Sequence, residues 1–273
     1  MKRRAAPGFG LSLGITLLVT GSMIALPLVA LVWSASRVGL DELIALSTSP
    51  RALASYRLSF GAAALAAALN AIFGAITAWV LVRYRFPGRA VVDAVVDLPF
   101  ALPTAVAGLA LCALYAKTGL LGAPLARVGL EIAFTPAGVV VALTFIGLPF
   151  VVRTLQPVLE QLDPAVEEAA ALLGASRLQT LVKVVLPALL PAWLTGFTLA
   201  FSRGIGEYGS VVFIAGNLPL STEITPLLIV TRLEQYDVAG ATALAVVLLS
   251  ASFALLLGSN LLSRLSARRL GVA

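Results

Sequence analysis

Arg203 and Glu207 stand i,i+4 inside the apolar stretch "FSRGIGEYGSVVFIAGN" at 201–217, so on a helix they would share one face. Ionisable groups in such a setting are costly, and they either neutralise each other or serve a solute path. Two readings of the pair therefore stand. One is a self-satisfied ion pair that holds a helix against its neighbour. The other is a gate, in which Gly204, Gly206 and Gly209 allow bending and the guanidinium donates to an anion that has shed its water. Asp93 and Asp97 have the same spacing and read as charge complementing a helix N-terminus. Cys112 is the only cysteine, and there is no histidine. That composition excludes an internal disulfide, zincin-type metal sites, imidazole general bases and histidine haem ligation, and it leaves Cys112 as a small packing residue. The one Lys-Thr pair, Lys117-Thr118, follows "LCALYA" rather than a glycine-rich loop, so the chain carries no phosphate cradle for ATP. No catalytic residue, metal or cofactor is expected.

The elements that must position these groups lie in lipid. Of the 273 residues, 60% are hydrophobic and 12% charged, with a mean hydropathy of +1.01. A soluble domain carries about a quarter charged residues, so this is an integral membrane protein. Apolar runs long enough to cross the bilayer are read at about 11–33, 58–82, 91–116, 134–155, 190–216 and 239–262. Six spans place both termini on one side. The first run follows "MKRR" and is longer than the apolar region of a signal peptide, which favours a retained span. With the amino terminus cytoplasmic, twelve Lys and Arg fall on inside segments and six on outside ones, with Arg203 within a span. The net charge of +6 is thus topological and predicts no nucleic-acid partner. "RYRFPGR" at 83–89 becomes a tight cytoplasmic turn built on Pro87-Gly88.

Between the fourth and fifth spans lies a polar island, "EEAAALLGASRLQTLVKVVLP" at 167–187. Asp163 can cap a helix that starts at Pro164 and stops at Gly174. Ser176 with Gln179 forms the capping box of a second helix, and Pro187 is expected to end it. Alanines 169 to 171 would leave a small-sided surface open to close approach, with Glu167 and Glu168 beside it. By physics alone the segment could equally lie along the lipid interface.

Its spacing resembles the EAA motif of ABC-importer permeases: Glu168-Ala169-Ala170, then Gly174, then Val184 and Leu186-Pro187. The family usually has Ile at the position of Val184. In that family the loop docks into a separate ATPase subunit and transmits its closure to the membrane helices. The resemblance therefore assigns Glu168, Ala169, Ala170, Gly174, Leu186 and Pro187 to ATPase coupling. The segments at 81–111, 149–162, 201–217 and 222–237 further resemble sulfate/thiosulfate permeases. Molybdate permeases share the EAA motif and similar "RxxGE" phrasing, which leaves a molybdate or tungstate permease as the alternative.

The expectation is an all-α polytopic protein of about six transmembrane helices, one permease domain over 1–273, with a cytoplasmic helix-turn-helix coupling loop at about 160–187. The resemblance implies a bacterial inner-membrane location, a homologous permease as heterodimer partner, cytoplasmic ATP-binding subunits and an extracytoplasmic sulfate-binding protein, with lipid around the spans. Arg203, Gly206 and Glu207 are the candidates for the translocation path. An ion-coupled secondary transporter is the rival class, supported by the proline-interrupted "DLPFALPTAVAG" at 97–108 and the Arg203/Glu207 pair. A membrane-embedded enzyme is weaker still, because no nucleophile-base pair converges.

Overall fold

The longest apolar helices carry their smallest side chains on the faces they bury. In a computed structural model that describes residues 8–269, the helices are α1 (Phe9–Val38), α2 (Leu40–Ser47), α3 (Pro50–Arg83), α4 (Arg89–Val96), α5 (Leu98–Ala101), α6 (Thr104–Tyr115), α7 (Gly122–Arg127), α8 (Pro136–Gln161), α9 (Pro164–Leu172), α10 (Arg177–Ile205), α11 (Val211–Ile214), α12 (Thr225–Glu234) and α13 (Val238–Arg269). No strand occurs among the described residues. Lys2, Arg3 and Arg4 lie outside them, as do the side chains of Arg264, Arg268 and Arg269. Short turns of π-helix at Gly21–Ala25 and Leu181–Val185 are carried within α1 and α10.

Helices α3, α8 and α10 form the central trio. The buried face of α3 reads Ser55, Ser59, Ala63, Ala66, Asn70, Gly74 and Ala78, a stripe of small residues at helical spacing. Glycines on the partners match it. A Cβ on Gly74 would lie 2.9 Å from Val151 of α8, one on Gly196 would lie 3.0 Å from the Val151 Cα, and one on Gly204 would lie 3.3 Å from Ala63. Gly147 leaves room for the Asn70 amide, which is fully buried. Small residues of this kind let membrane helices approach until their backbones are in van der Waals contact, where burial of apolar area between helices gains little. Large apolar side chains point the other way: Leu65, Ile72, Phe73 and Ile76 on α3 are exposed, as is most of α1.

Among the described residues, five helices are long and apolar enough to cross a membrane: α1, α3, α8, α10 and the part Val238–Gly258 of α13. The sixth expected span, 91–116, is not one helix. Pro103 has no N–H and excludes the residue before it from the helical region, so Leu102 is extended at φ −84°, ψ 135° and the segment divides into α4, α5 and the twelve-residue α6. The start of α6, just beyond the break, packs on the turn after α10. A Cβ on Gly108 of α6 would overlap the Ser210 carbonyl, and one on Gly209 would overlap the Thr104 side chain. Non-helical backbone at membrane depth is tolerated only where protein or water satisfies it.

The expected fifth span, 190–216, is displaced in the opposite direction. Pro187 does not terminate the second short helix, which continues unbroken from Arg177 to Ile205. Over 181–185 the backbone widens to a π turn, in which the Leu186 N–H donates to the Leu181 carbonyl five residues back. The wider turn accommodates a ring that would press on the carbonyl four residues earlier in a regular helix. At its other end α10 stops at Gly206, well short of residue 216, and the chain resumes helix only at α11.

Gly108→Ala should therefore destabilise the purified protein in detergent by about 1–3 kcal/mol through overpacking against the Ser210 backbone. Gly61→Ala, on the same kind of helix but with open space at its Cβ, should be neutral or stabilising. Thermal unfolding of the two variants checks this, and equal losses would show that the α6 contact is not tight.

Candidate functional site

The loop from α8 to α10 is built by three local devices. The Asp163 carboxylate accepts from the Ala165 N–H at 2.9 Å, with Pro164 at the first helical position of α9. α9 ends in a Schellman arrangement: the Gly174 N–H donates to Ala171 and the Ala175 N–H to Ala170, both at 3.0 Å, with Gly174 at φ +81°. Ser176 then starts α10 with both halves of a capping box, its N–H donating to Gln179 Oε1 at 2.8 Å and its Oγ accepting from the Gln179 N–H at 3.3 Å. The loop is a short helix, a glycine turn and the start of the long α10, which runs on past Pro187.

What the loop presents is apolar. Leu172 and Leu173 at the tip are 90% and 89% exposed, and Glu168 and Ala169 are exposed beside them, with Ala170 half-buried. A hollow of about 300 Å³ runs between Ala170, Gly174, Gln179 and Lys183, with Val184 in its lining. Leu186 is exposed and Pro187 half-buried on the first turns of α10. Glu168 makes no ion pair among the described residues. Its neighbour Glu167 does, with Arg83 at the end of α3, and that guanidinium also lies 5.4 Å from the centre of the Trp79 ring. The loop is therefore moored to α3 by Glu167, and its Glu168 face is left open.

Arg203 and Glu207 are brought together, but not along a continuous helix. Arg203 is in the last turn of α10, and Glu207 follows the capping residue Gly206. The Arg203 guanidinium bonds Glu207 Oε2 at 2.5 Å. Glu207 Oε1 accepts from the Ser210 N–H at 2.9 Å and from the Ser210 hydroxyl at 3.1 Å, so the carboxylate holds the turn between α10 and α11. The pair is asymmetric, with the Glu207 side chain 2% exposed and that of Arg203 36%. Gly206 is exposed with nothing near its Cβ position.

Two further ion-pair sites join residues that their spacing in the sequence does not pair. Asp93 lies past the first turn of α4, and Asp97 occupies the N-cap position of the short α5 without a side-chain capping bond. Both bind Arg153 of α8, which donates Nε to Asp97 Oδ1 at 2.7 Å, Nη2 to Asp97 Oδ2 at 2.5 Å and Nη1 to Asp93 Oδ1 at 2.7 Å, with Gln156 joining at 2.6 Å. Two carboxylates at i,i+4 facing one lone cation on an otherwise apolar helix were the available signal. On the opposite side of the bundle, Arg51 forms a two-pronged pair with buried Glu223, both bonds at 2.7 Å, beside the hydroxyl cluster of Ser55, Ser59 and Thr225. Nothing in spacing alone joins residues so far apart in the chain.

Five long apolar helices around a central trio are the fold of a multi-pass membrane transport component, and the family follows from the sequence. The chain belongs to the binding-protein-dependent transport family: residues 70–272 match the model of the binding-protein-dependent transport system inner membrane component. Among its relatives are sulfate transport system permease proteins CysT. It is 48% identical to that of Salmonella typhimurium over 267 residues, 98% of this chain and 96% of the relative. It is 47% identical to that of Escherichia coli over the same shares. The permease of a Synechocystis species is 49% identical over 92% of this chain and 87% of its own. In solved structures the fold is similar to a bacterial alginate ABC transporter in complex with an alginate-bound periplasmic protein, at TM-score 0.74 and 19% identity over 94% of both chains. An amino acid ABC transporter is more distant, at TM-score 0.55 and 16% identity, covering 85% of this chain and 99% of that one. The protein is a permease subunit and not an enzyme. Members of its family pair with an ATPase and a substrate-binding protein.

Because Glu207 is buried and Arg203 half-exposed, the pair should fail unevenly. Arg203→Ala leaves an uncompensated buried carboxylate and should cost about 3 kcal/mol or more. Adding Glu207→Gln should recover much of that, since a neutral amide oxygen still accepts from Ser210. Unfolding midpoints of the single and double variants measure the difference, and a double variant no more stable than Arg203→Ala would contradict the assignment.

Proposed function

We propose that this chain is the sulfate- and thiosulfate-conducting permease subunit of an ATP-driven importer, forming half of the translocation path. The observation that carries the reading is near-half identity, along almost the full length, to relatives named as sulfate transport permeases. A second, homologous permease supplies the other half. A soluble binding protein delivers anion from outside, and ATP-binding subunits act from the cytoplasm. Both termini are cytoplasmic, a reading supported by the twelve-to-six distribution of Lys and Arg. Residues 1–273 act as one permease domain in the plasma membrane.

In this reading the loop at about 160–187 docks into the ATPase. Glu168, Ala169, Ala170 and Gly174 form the docking face, and the exposed Leu172 and Leu173 extend it. Leu186 and Pro187 belong to the same unit, because α10 runs without interruption from the loop to Arg203. At 1.5 Å per residue its 29 residues span about 43 Å, so a tilt at the loop is delivered as a displacement at Gly206 and the Arg203/Glu207 turn. That turn, with an exposed glycine and one half-exposed guanidinium, is the proposed gate. An oxyanion that sheds water there finds donors on Arg203, whose charge Glu207 balances when the path is empty.

Uptake of labelled anion into vesicles holding the complete complex tests the substrate. Sulfate and thiosulfate should accumulate only with ATP, and molybdate should compete weakly. Strong molybdate uptake without sulfate uptake would refute the assignment. For the loop, Ala170→Trp should insert normally and weaken ATPase co-purification by about tenfold, equivalent to about 1.4 kcal/mol of docking energy. Gln161→Ala, just before the Asp163 cap, should leave it unchanged. Wild-type ATPase retention with Ala170→Trp would remove the loop from the interface.

A further inference from the structure

We infer that the groove between α3, the α9–α10 turn and the first turns of α10 is a binding site for an anionic phospholipid, with the phosphate on Arg177 and an acyl chain along the groove. The groove encloses about 620 Å³, and its walls are mainly apolar: Ala75, Ile76 and Trp79 from α3, and Leu181, Val185 and Leu189 from α10. It opens sideways toward the lipid, because Ile76 and Leu186, both in its lining, are 56% and 41% exposed. Depth is marked by Trp79 and Arg83, an aromatic ring with a guanidinium over it at the end of a spanning helix, the combination found at the membrane–water interface.

Charge selects the head group. Two ionised side chains, Glu167 and Arg177, line the groove. Glu167 is already neutralised by Arg83, whereas Arg177 is exposed and forms no ion pair among the described residues. The groove therefore offers one uncompensated cation at its polar end and an apolar channel beyond it, which is the pattern of a diacyl phosphate rather than of a soluble anion or a neutral lipid. Ala171 and Ala175 of the loop complete the wall, so an occupying lipid would brace the loop against α3.

Native mass spectrometry of the detergent-solubilised complex tests this, with added phosphatidylglycerol or phosphatidylcholine as probe. Phosphatidylglycerol should remain bound to the wild type. Its retention should fall about fivefold in Arg177→Gln, the loss expected for one basic residue at an anionic lipid surface. Ile76→Trp, which fills the channel, should release it as well. Arg85→Gln removes an exposed charge from the nearby turn without touching the groove and should leave retention unchanged. Size-exclusion profiles matching the wild type show that the variants are folded. Equal retention of the two lipids, or phosphatidylglycerol retained equally by wild type and Arg177→Gln, overturns the proposal. So does Ile76→Trp that sheds the ATPase while keeping its lipid, which would make the groove a protein interface.

Discussion

The approach of α3 to α8 and α10 is the constraint on which the rest of the bundle depends. In a bilayer, lipid tails are as apolar as leucine, so burying apolar area between helices gains little, and association rests on close packing. The stripe of Ala, Ser and Gly on α3 meets Val151 and Gly147 of α8 and Gly204 of α10, while Gly196 of α10 lies against Val151 of α8. Large side chains on that face would push the three helices apart. They would also shift Arg153, carried on α8, away from Asp93 on α4 and Asp97 at its end.

Around that seam the polar groups divide by depth. Each end of the bundle is tied by an arginine that spans two elements: Arg153 to Asp93 and Asp97, Arg83 to Glu167, and Arg51 to Glu223. The Leu102 break is followed by α6, whose Gly108 lies against Ser210, and Gly209 of the Gly206–Ser210 turn lies against Thr104. Glu207 completes the arrangement by taking the Ser210 N–H that no helix would satisfy.

The loop obeys a different logic. Its backbone is fully capped, with Asp163, the Gly174 turn and Ser176 accounting for the helix ends, while its outer side chains are left unsatisfied in the apolar sense. The caps hold the turn in one geometry while Leu172 and Leu173 stay exposed. The π turn at 181–185 keeps α10 continuous across Pro187, so the loop and the Arg203 turn belong to one rod.

The membrane class and the caps of the loop were legible in the residues alone, because these depend on composition or on residues within a few positions of one another. Asp163, Gly174, Ser176 and Gln179 act on their own neighbours, and their geometry follows from residue type. Tertiary structure alone decided what pairs across the bundle. Hydropathy reads 91–116 as one span, since a window average does not register that Pro103 forces Leu102 out of the helix. It reads 190–216 as another, since the stop at Gly206 depends on Glu207 reaching Ser210. Arg153 and Arg83 look like loop charges until α4 and α9 fold against α8 and α3. Their carboxylate partners lie 56 to 84 residues away, and only packing brings them within reach.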